Sequence, residues 1–484
     1  MSKATLDPDN WSAFRSAAHK MLDAALDKME SAGKGRVWTP LPDEMKAALQ
    51  SDLPITGISA EELRQKLEEL LPYGVGNTHP RFFGWVHGAG NPGGIFAEIT
   101  GAAMNANLGG RDHGAIYIEK QVLEWCRQLM GFPADSSGLI VSGTSMATII
   151  ALKAARDQRV GLECRKKGVG RVALVGYASA QAHSCLGRAF DLLGIGSDSL
   201  RKVPCDAHFR MDLEALKRAI EEDRAEGNIP FVVIGTAGSV NVGAIDALEK
   251  LADIAALENL WLHVDGAFGA TAILSNKIRD YLAGIERADS LAFDFHKWLH
   301  VNYDAGCVLI RSAEVHLKAF SGRPEYLLEA GRGLAAGNPW PVDYGPELSR
   351  GFRALKIWTH FLEHGTDKLA EAIDKNCIQA SYLKEKIQDS STFELLAPVT
   401  LNIVCFRYVP EDVKNLDELN KEIVITLQEK GIAAPSTTIL NGQLAIRVNI
   451  TNHRTELRNL DLLVEEAEKI GITLILEKSF KVCK

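Results

Sequence analysis

The chain has 484 residues, 46% of them hydrophobic, and sets 62 Asp and Glu against 54 Lys and Arg for a formal net charge of −8. That length buries one large core or two moderate ones, and the acidic balance, with no Lys/Arg stripe, excludes a nucleic-acid partner as a leading reading. Eight scattered cysteines without C-x-x-C spacing exclude a disulfide frame or a zinc site, and no apolar run approaches membrane-spanning length, so no metal and no membrane partner are expected.

The N-terminus, "MSKATLDPDNW", has no charged segment followed by an apolar one, and the expected location is cytoplasmic. From Trp11 to Met29 the apolar residues Trp11, Phe14, Ala18, Met21, Leu22, Ala25, Leu26 and Met29 follow one helical face, ended by Gly33 and Gly35. A second short helix is predicted after Pro42 and a third at "SAEELRQKLEELL", where Ser59 and Glu62 have capping-box spacing. Three helices with narrow apolar faces cannot close a core, so residues 1–90 are expected to pack on something else, another subunit being one candidate.

From about residue 94 to 356, helical patterns alternate with the runs "GLIVSG", "RVALVGYAS", "PFVVIGTAG", "LWLHVDGA", "SLAFDF" and "CVLIR". This alternation predicts a largely parallel α/β sheet with its ligand site at the carboxyl ends of the strands. From about residue 367 a long helix, "TLNIVCFRYV", a helix over about 412–430, "QLAIRVNIT" and a last helix near 456–469 predict a smaller α+β domain. The expected division is 1–90, 91–365 and 366–484, with no internal repeat.

The polar residues just after the predicted strands are the candidates for chemistry. In "VSGTSMATIIALKAAR", Thr144 and Ser145 open a helix and either cap it or cradle an anion, and neither a Walker A loop nor a dinucleotide fingerprint is present. Asp265 ends the strand of "LWLHVDGAFGA" and either caps the next segment or faces a cationic ring nitrogen. Lys297 lies 32 residues later in "ADSLAFDFHKWLH", where a buried ammonium must be paired, neutralised or used covalently. His183, in "YASAQAHSC", meets the same edge with a flat ring able to stack and to trade a proton. An anion cradle, a stacking ring, an acid and a lysine at successive strand ends form the set that pyridoxal 5′-phosphate requires.

The segments "FRSAAHKMLDAALDKME", "HPRFFGW", "SGTSMAT", "AHSC", "HVDGAFGA", "DFHKWLHVNYDAG" and "GFRALKIW" occur in an order and spacing that resemble the group II pyridoxal-phosphate-dependent amino acid decarboxylases, which include aromatic L-amino acid decarboxylase. The resemblance implies an aspartate-aminotransferase-like, type I fold: a mostly parallel seven-stranded central sheet, an N-terminal helical segment and a smaller C-terminal α+β domain. It further implies a homodimer with its sites at the subunit interface. Carried onto this chain, it implies that Lys297 bonds the cofactor aldehyde and Asp265 keeps the pyridine nitrogen protonated. Ala267 would pack under the ring and His183 over it, with Thr144, Ser145 and His296 at or near the phosphate. Tyr326 would protonate the carbon that has lost CO2, and Phe83, Trp85, His87 and Arg350 would line the substrate side.

The chain also departs from that pattern. Asp294 stands where many relatives have Asn, and a carboxylate near a phosphate is unfavourable unless protonated or turned away. Val240 replaces a threonine expected near the cofactor hydroxyl, with Ser239 as a possible substitute. Phe82, Phe83 and Trp85 match the family's pocket segment, so the resemblance implies decarboxylation of an aromatic L-amino acid such as tyrosine, DOPA, tryptophan or phenylalanine, whereas His87, Arg111 and His113 make a glutamate, aspartate or 2,4-diaminobutyrate substrate the runner-up. An aldehyde synthase of the same family and a pseudoenzyme scaffold are the other readings. Intact Tyr326 and His183 argue against the first, and Lys297, Asp265, His183 and Tyr326 together against the second.

Overall fold

A computed structural model describes residues 5–322 and 330–477. Helix α1 (Trp11–Glu30) starts at Asn10, whose side chain accepts the Ala13 N–H. α2 (Asp43–Ala48) follows Pro42, and α3 (Ala60–Leu70) carries the reciprocal Ser59–Glu62 capping box read from the sequence. α1 lies against α3, yet Trp11, Phe14, Leu26, Leu63 and Leu67 stay exposed, so this segment presents an apolar surface the rest of the chain does not cover.

In chain order there follow β1 (Phe82–Phe83), α4 (Gly94–Met104), α5 (Gly114–Leu129), β2 (Ser137–Val141), α6 (Thr144–Val160), β3 (Leu174–Ser179), β4 (Leu200–Val203), β5 (Ile229–Thr236), β6 (Trp261–Asp265), β7 (Ser290–Asp294) and β8 (Gly306–Ile310). The seven strands β2 to β8 form one sheet in the order β2-β8-β7-β6-β5-β3-β4. β3 to β7 pair in parallel, and β8 is antiparallel to both neighbours, so six strands point one way. Both faces are covered: α6 and the helix Cys185–Leu192 on one, α5, Leu213–Ala225, Leu248–Leu257 and the start of Arg353–Gln388 on the other. Double coverage explains why these strands read as continuous apolar runs, and why only the residues beyond their carboxyl ends are free to be polar.

The helix Arg353–Gln388 begins earlier than the pattern indicated and is broken at Gly365, whose φ of 64° and ψ of 169° are accessible to glycine. Beyond it, β9 (Phe393–Leu395), β10 (Ile403–Tyr408), β11 (Ala434–Leu440) and β12 (Gln443–Asn449) form an antiparallel sheet backed by the helices Leu416–Glu429 and Leu457–Leu476. The sequence did not indicate that β1 joins it. Phe82 and Phe83 pair in parallel with Ala434 and Pro435, which fastens the segment around residue 83 to the C-terminal sheet. Among the described residues no helix is long and apolar enough to cross a membrane, and no cysteine is in a disulfide.

Candidate active site

Because β2, β3, β5, β6 and β7 point the same way, the loops after all five meet at one edge, where they wall a cavity of about 480 Å³. Thr144, Ser145, His183, Asp265, Ala267, His296 and Lys297 all line it, as do Trp85 and His87 from the segment after β1. The strand ends therefore bring together seven expected cofactor residues that are dispersed over 154 positions.

Lys297 sits three residues past the end of β7, its Nζ 2.9 Å from Asp294 Oδ2. Burial opposes the ammonium charge, but Asp294 and, beyond it, Asp265 outweigh that penalty and hold the Lys297 pKa above its ordinary value. Asp265 is buried at the end of β6, in register with Thr236 on β5 and Ala292 on β7, and accepts the Ala267 N–H at 3.1 Å. Its pKa is raised by burial, with Lys297, the Ala267 N–H and His183 pulling the other way. The His183 Nδ1 accepts the Cys185 N–H at 3.2 Å, which leaves the single proton of a neutral ring on Nε2. Burial lowers the His183 pKa against the pull of Asp265, so the neutral form prevails.

At the start of α6 the Thr144 N–H donates to Asp294 Oδ1 at 2.7 Å, while the Thr144 hydroxyl is buried without a partner. Asp294 is therefore not turned away from the cavity. It lines the wall between the α6 turn and Lys297, with His296 Nε2 3.7 Å from Oδ2. His296 is fixed by the Ala305 N–H, which donates to its Nδ1 at 3.1 Å, and burial lowers its pKa.

The other side of the cavity comes from residues 84–91. Gly88 packs backbone to backbone on the lysine loop, donating to His296 O at 3.1 Å; a Cβ there would lie 2.3 Å from that oxygen. Trp85 holds a positive φ of 48°, kept in place by Arg447 and Asn449 donating to its carbonyl at 2.8 and 2.6 Å. Its ring begins a file of aromatic contacts: Trp85 to His87 at 5.9 Å, His87 to Tyr303 at 5.9 Å, and Tyr303 to His296 at 4.4 Å, with Phe82 behind Trp85 at 6.2 Å.

Two expected substrate contacts are corrected. Arg350 does not line the cavity: its guanidinium is enclosed by Glu119, Leu108 O and Ile140 O, and the side chain is 1% exposed. Phe83 is fully buried against the helices of the C-terminal sheet, because its strand partner turns it into that core. Ser239 lies off the cavity, its hydroxyl accepting the Ala244 N–H at 3.2 Å, while Val240 is on the wall. Tyr326 lies outside the described residues. Sequence reasoning missed Thr236 and Tyr303. The first ends "PFVVIGT", a polar residue at a strand terminus, and its buried hydroxyl has no partner; the second follows Lys297 by six residues.

Comparison with known proteins bears on this geometry. A family model described as the pyridoxal-dependent decarboxylase conserved domain matches residues 42–409. The chain is 35% identical over 451 residues to an aromatic-L-amino-acid decarboxylase of Bacillus atrophaeus, covering 91% of this chain and 92% of that protein. It is 28% identical over 471 residues to human cysteine sulfinic acid decarboxylase, covering 93% and 94%. Among solved structures, Oryza sativa TDC with PLP and tryptamine superposes with a TM-score of 0.87 at 25% identity, over 97% of this chain and all of that one.

Proposed function

The chain belongs to the pyridoxal-dependent decarboxylase family and is an amino acid decarboxylase that uses pyridoxal 5′-phosphate, and we propose that its substrate is an aromatic L-amino acid. The observation that carries the substrate reading is the aromatic file from Phe82 through Trp85 and His87 to Tyr303. Among the described residues of the wall, Lys297 is the one lysine or arginine and already pairs with Asp294, while Asp304 pairs with Arg353, so an acidic side chain would meet no spare cation.

The residues fit the cofactor. Two buried hydroxyls without partners, on Thr144 and Thr236, face a cavity that also holds an amine, a carboxylate and a neutral imidazole. When bound, pyridoxal 5′-phosphate supplies an aldehyde for amino groups and a conjugated ring that accepts the electron pair left as CO2 departs. In the proposed roles Lys297 supplies the amine that bonds the aldehyde and is displaced by the substrate amine. Asp265, buried at the end of β6, would hold a proton at the pyridine nitrogen, its carboxylate stabilising the positive charge there. Ala267, with a single methyl, would leave room for the ring, and His183 would stack on it as a neutral flat partner. Thr144 and Ser145 take the phosphate at the start of α6, with His296 beside them. Tyr326 is proposed as the donor of the proton that replaces CO2. The apolar surface of α1 and α3 supports a homodimer in which this segment covers the neighbouring subunit.

Carbon dioxide release across a panel of L-amino acids tests the reading. Tyrosine, DOPA, tryptophan or phenylalanine should exceed glutamate, aspartate, cysteine sulfinate and 2,4-diaminobutyrate by about a hundredfold in kcat/KM. The reverse order would overturn the substrate, and hydrogen peroxide formed in step with CO2 would replace the decarboxylase by an aldehyde synthase.

A further inference from the structure

Asp294 is buried at the end of β7 and cannot swing aside. Oδ1 holds the Thr144 N–H at 2.7 Å and Oδ2 holds Lys297 Nζ at 2.9 Å. Gly306 on β8 leaves the space that Oδ1 fills, since a Cβ there would come within 2.6 Å of it. The carboxylate is thus built into the turn proposed for the phosphate.

We propose that Asp294 makes cofactor capture a proton-consuming step, the carboxylate taking up one proton when the phosphate settles on the same α6 turn. The inference rests on the reading that Lys297 and the start of α6 hold the cofactor. The groups facing Asp294 decide the sign. From its own loop come Lys297 and His296; from the loop after β3, His183 and Cys185; from β6, Asp265; from β8 and the loop before it, Cys307, Tyr303 and Asp304. Burial holds the two histidines neutral and keeps the two thiols and the phenol protonated, so Lys297 is the one cation in the set. When its nitrogen replaces the aldehyde oxygen, which would leave as water, the one positive charge would be shared with the cofactor, and Asp294 would lie beside an added phosphate. Two close anions in a low-dielectric wall repel strongly, and neutralising one relieves the repulsion. The proton comes from solvent and goes to Oδ2, which then donates to a phosphate oxygen while Oδ1 keeps the Thr144 N–H. No other bond is made or broken by this step.

The test is equilibrium dialysis of the full-length holoenzyme against graded pyridoxal 5′-phosphate from about pH 6.5 to 8.5, with borohydride fixing bound cofactor for peptide mapping at Lys297. In the wild type the dissociation constant should climb with pH more steeply than in Asp294→Asn, by about tenfold per pH unit, the slope of one linked proton. At the alkaline end Asp294→Asn should bind at least about tenfold tighter. Pyridoxal without phosphate, tried on the wild type alone, should lack the extra slope. Parallel slopes for the two proteins, or the same slope for pyridoxal and its phosphate, with Lys297 labelled throughout, would overturn the proposal and leave the site reading intact. No label on Lys297 in either protein would overturn both.

Discussion

Replacing Glu119 by Gln tests whether Arg350 is a structural hub or a substrate contact. The pair is bidentate, with Arg350 Nη1 and Nη2 donating to Glu119 at 3.1 and 2.5 Å and also to Leu108 O and Ile140 O, and the two side chains are 1% and 2% exposed. Gln keeps the shape but turns an amide N–H₂ towards one guanidinium nitrogen and leaves the buried charge uncompensated. Breaking such a pair costs about 3 to 5 kcal/mol. For a chain of 484 residues, an unfolding entropy of about 1 kcal/mol per kelvin converts that cost to a fall in Tm of about 3 to 5 °C. Thermal unfolding of the holoenzyme followed by fluorescence should record that shift, while kcat/KM at 25 °C stays within about twofold of wild type. An unchanged Tm with KM raised about tenfold would refute the reasoning and return Arg350 to the substrate.

Asp265→Asn should lower kcat by at least about a hundredfold at saturating cofactor, because a neutral amide no longer stabilises a charged ring nitrogen; steady-state CO2 release measures it, and turnover within tenfold of wild type would remove Asp265 from that role. The fold should also be acid-labile. Burial pushes His263, His316 and His360 down to about 3, so the folded chain keeps them neutral where an unfolded chain binds protons. Their contribution is full above the unfolded value of about 6.5 and is lost as pH falls towards 3, at about 1.4 kcal/mol per pH unit for each. Denaturant midpoints at pH 7.5, 6.0 and 5.0 should decline in that order, and equal midpoints would exclude the effect.

What could be read in the sequence follows from where the physics is local. A buried parallel strand advertises itself as an aliphatic run and stops at its first polar residue, so Asp265, Lys297 and His183 stood out with the strands that deliver them. Arg350 misled because its partner Glu119 lies 231 positions away, and no spacing rule reports such a pair. Phe83 misled for a related reason: a two-residue strand has no period, and its pairing with residue 435 decides that it faces a core and not a ligand. Thr236 passed unnoticed because a threonine ending a β-run is ordinary, and what singles it out is a hydroxyl left alone in three dimensions. Asp294 was conspicuous as a misplaced charge, but the Thr144 amide and the bare Gly306 that pin it come from two other elements.

The pairing of β1 with β11 also makes the two sides of the cavity depend on different stretches of the chain. Every strand end around Lys297 precedes Ile310, and the lysine loop is then held by the next long helix, where Asn376 accepts the Trp298 indole N–H at 3.0 Å. Trp85 depends on parts of the chain that come later again. The strand that anchors it waits for Ala434, and Arg447 and Asn449, which grip its carbonyl, come later still. The wall that carries Trp85 therefore depends on parts of the chain that follow residue 433.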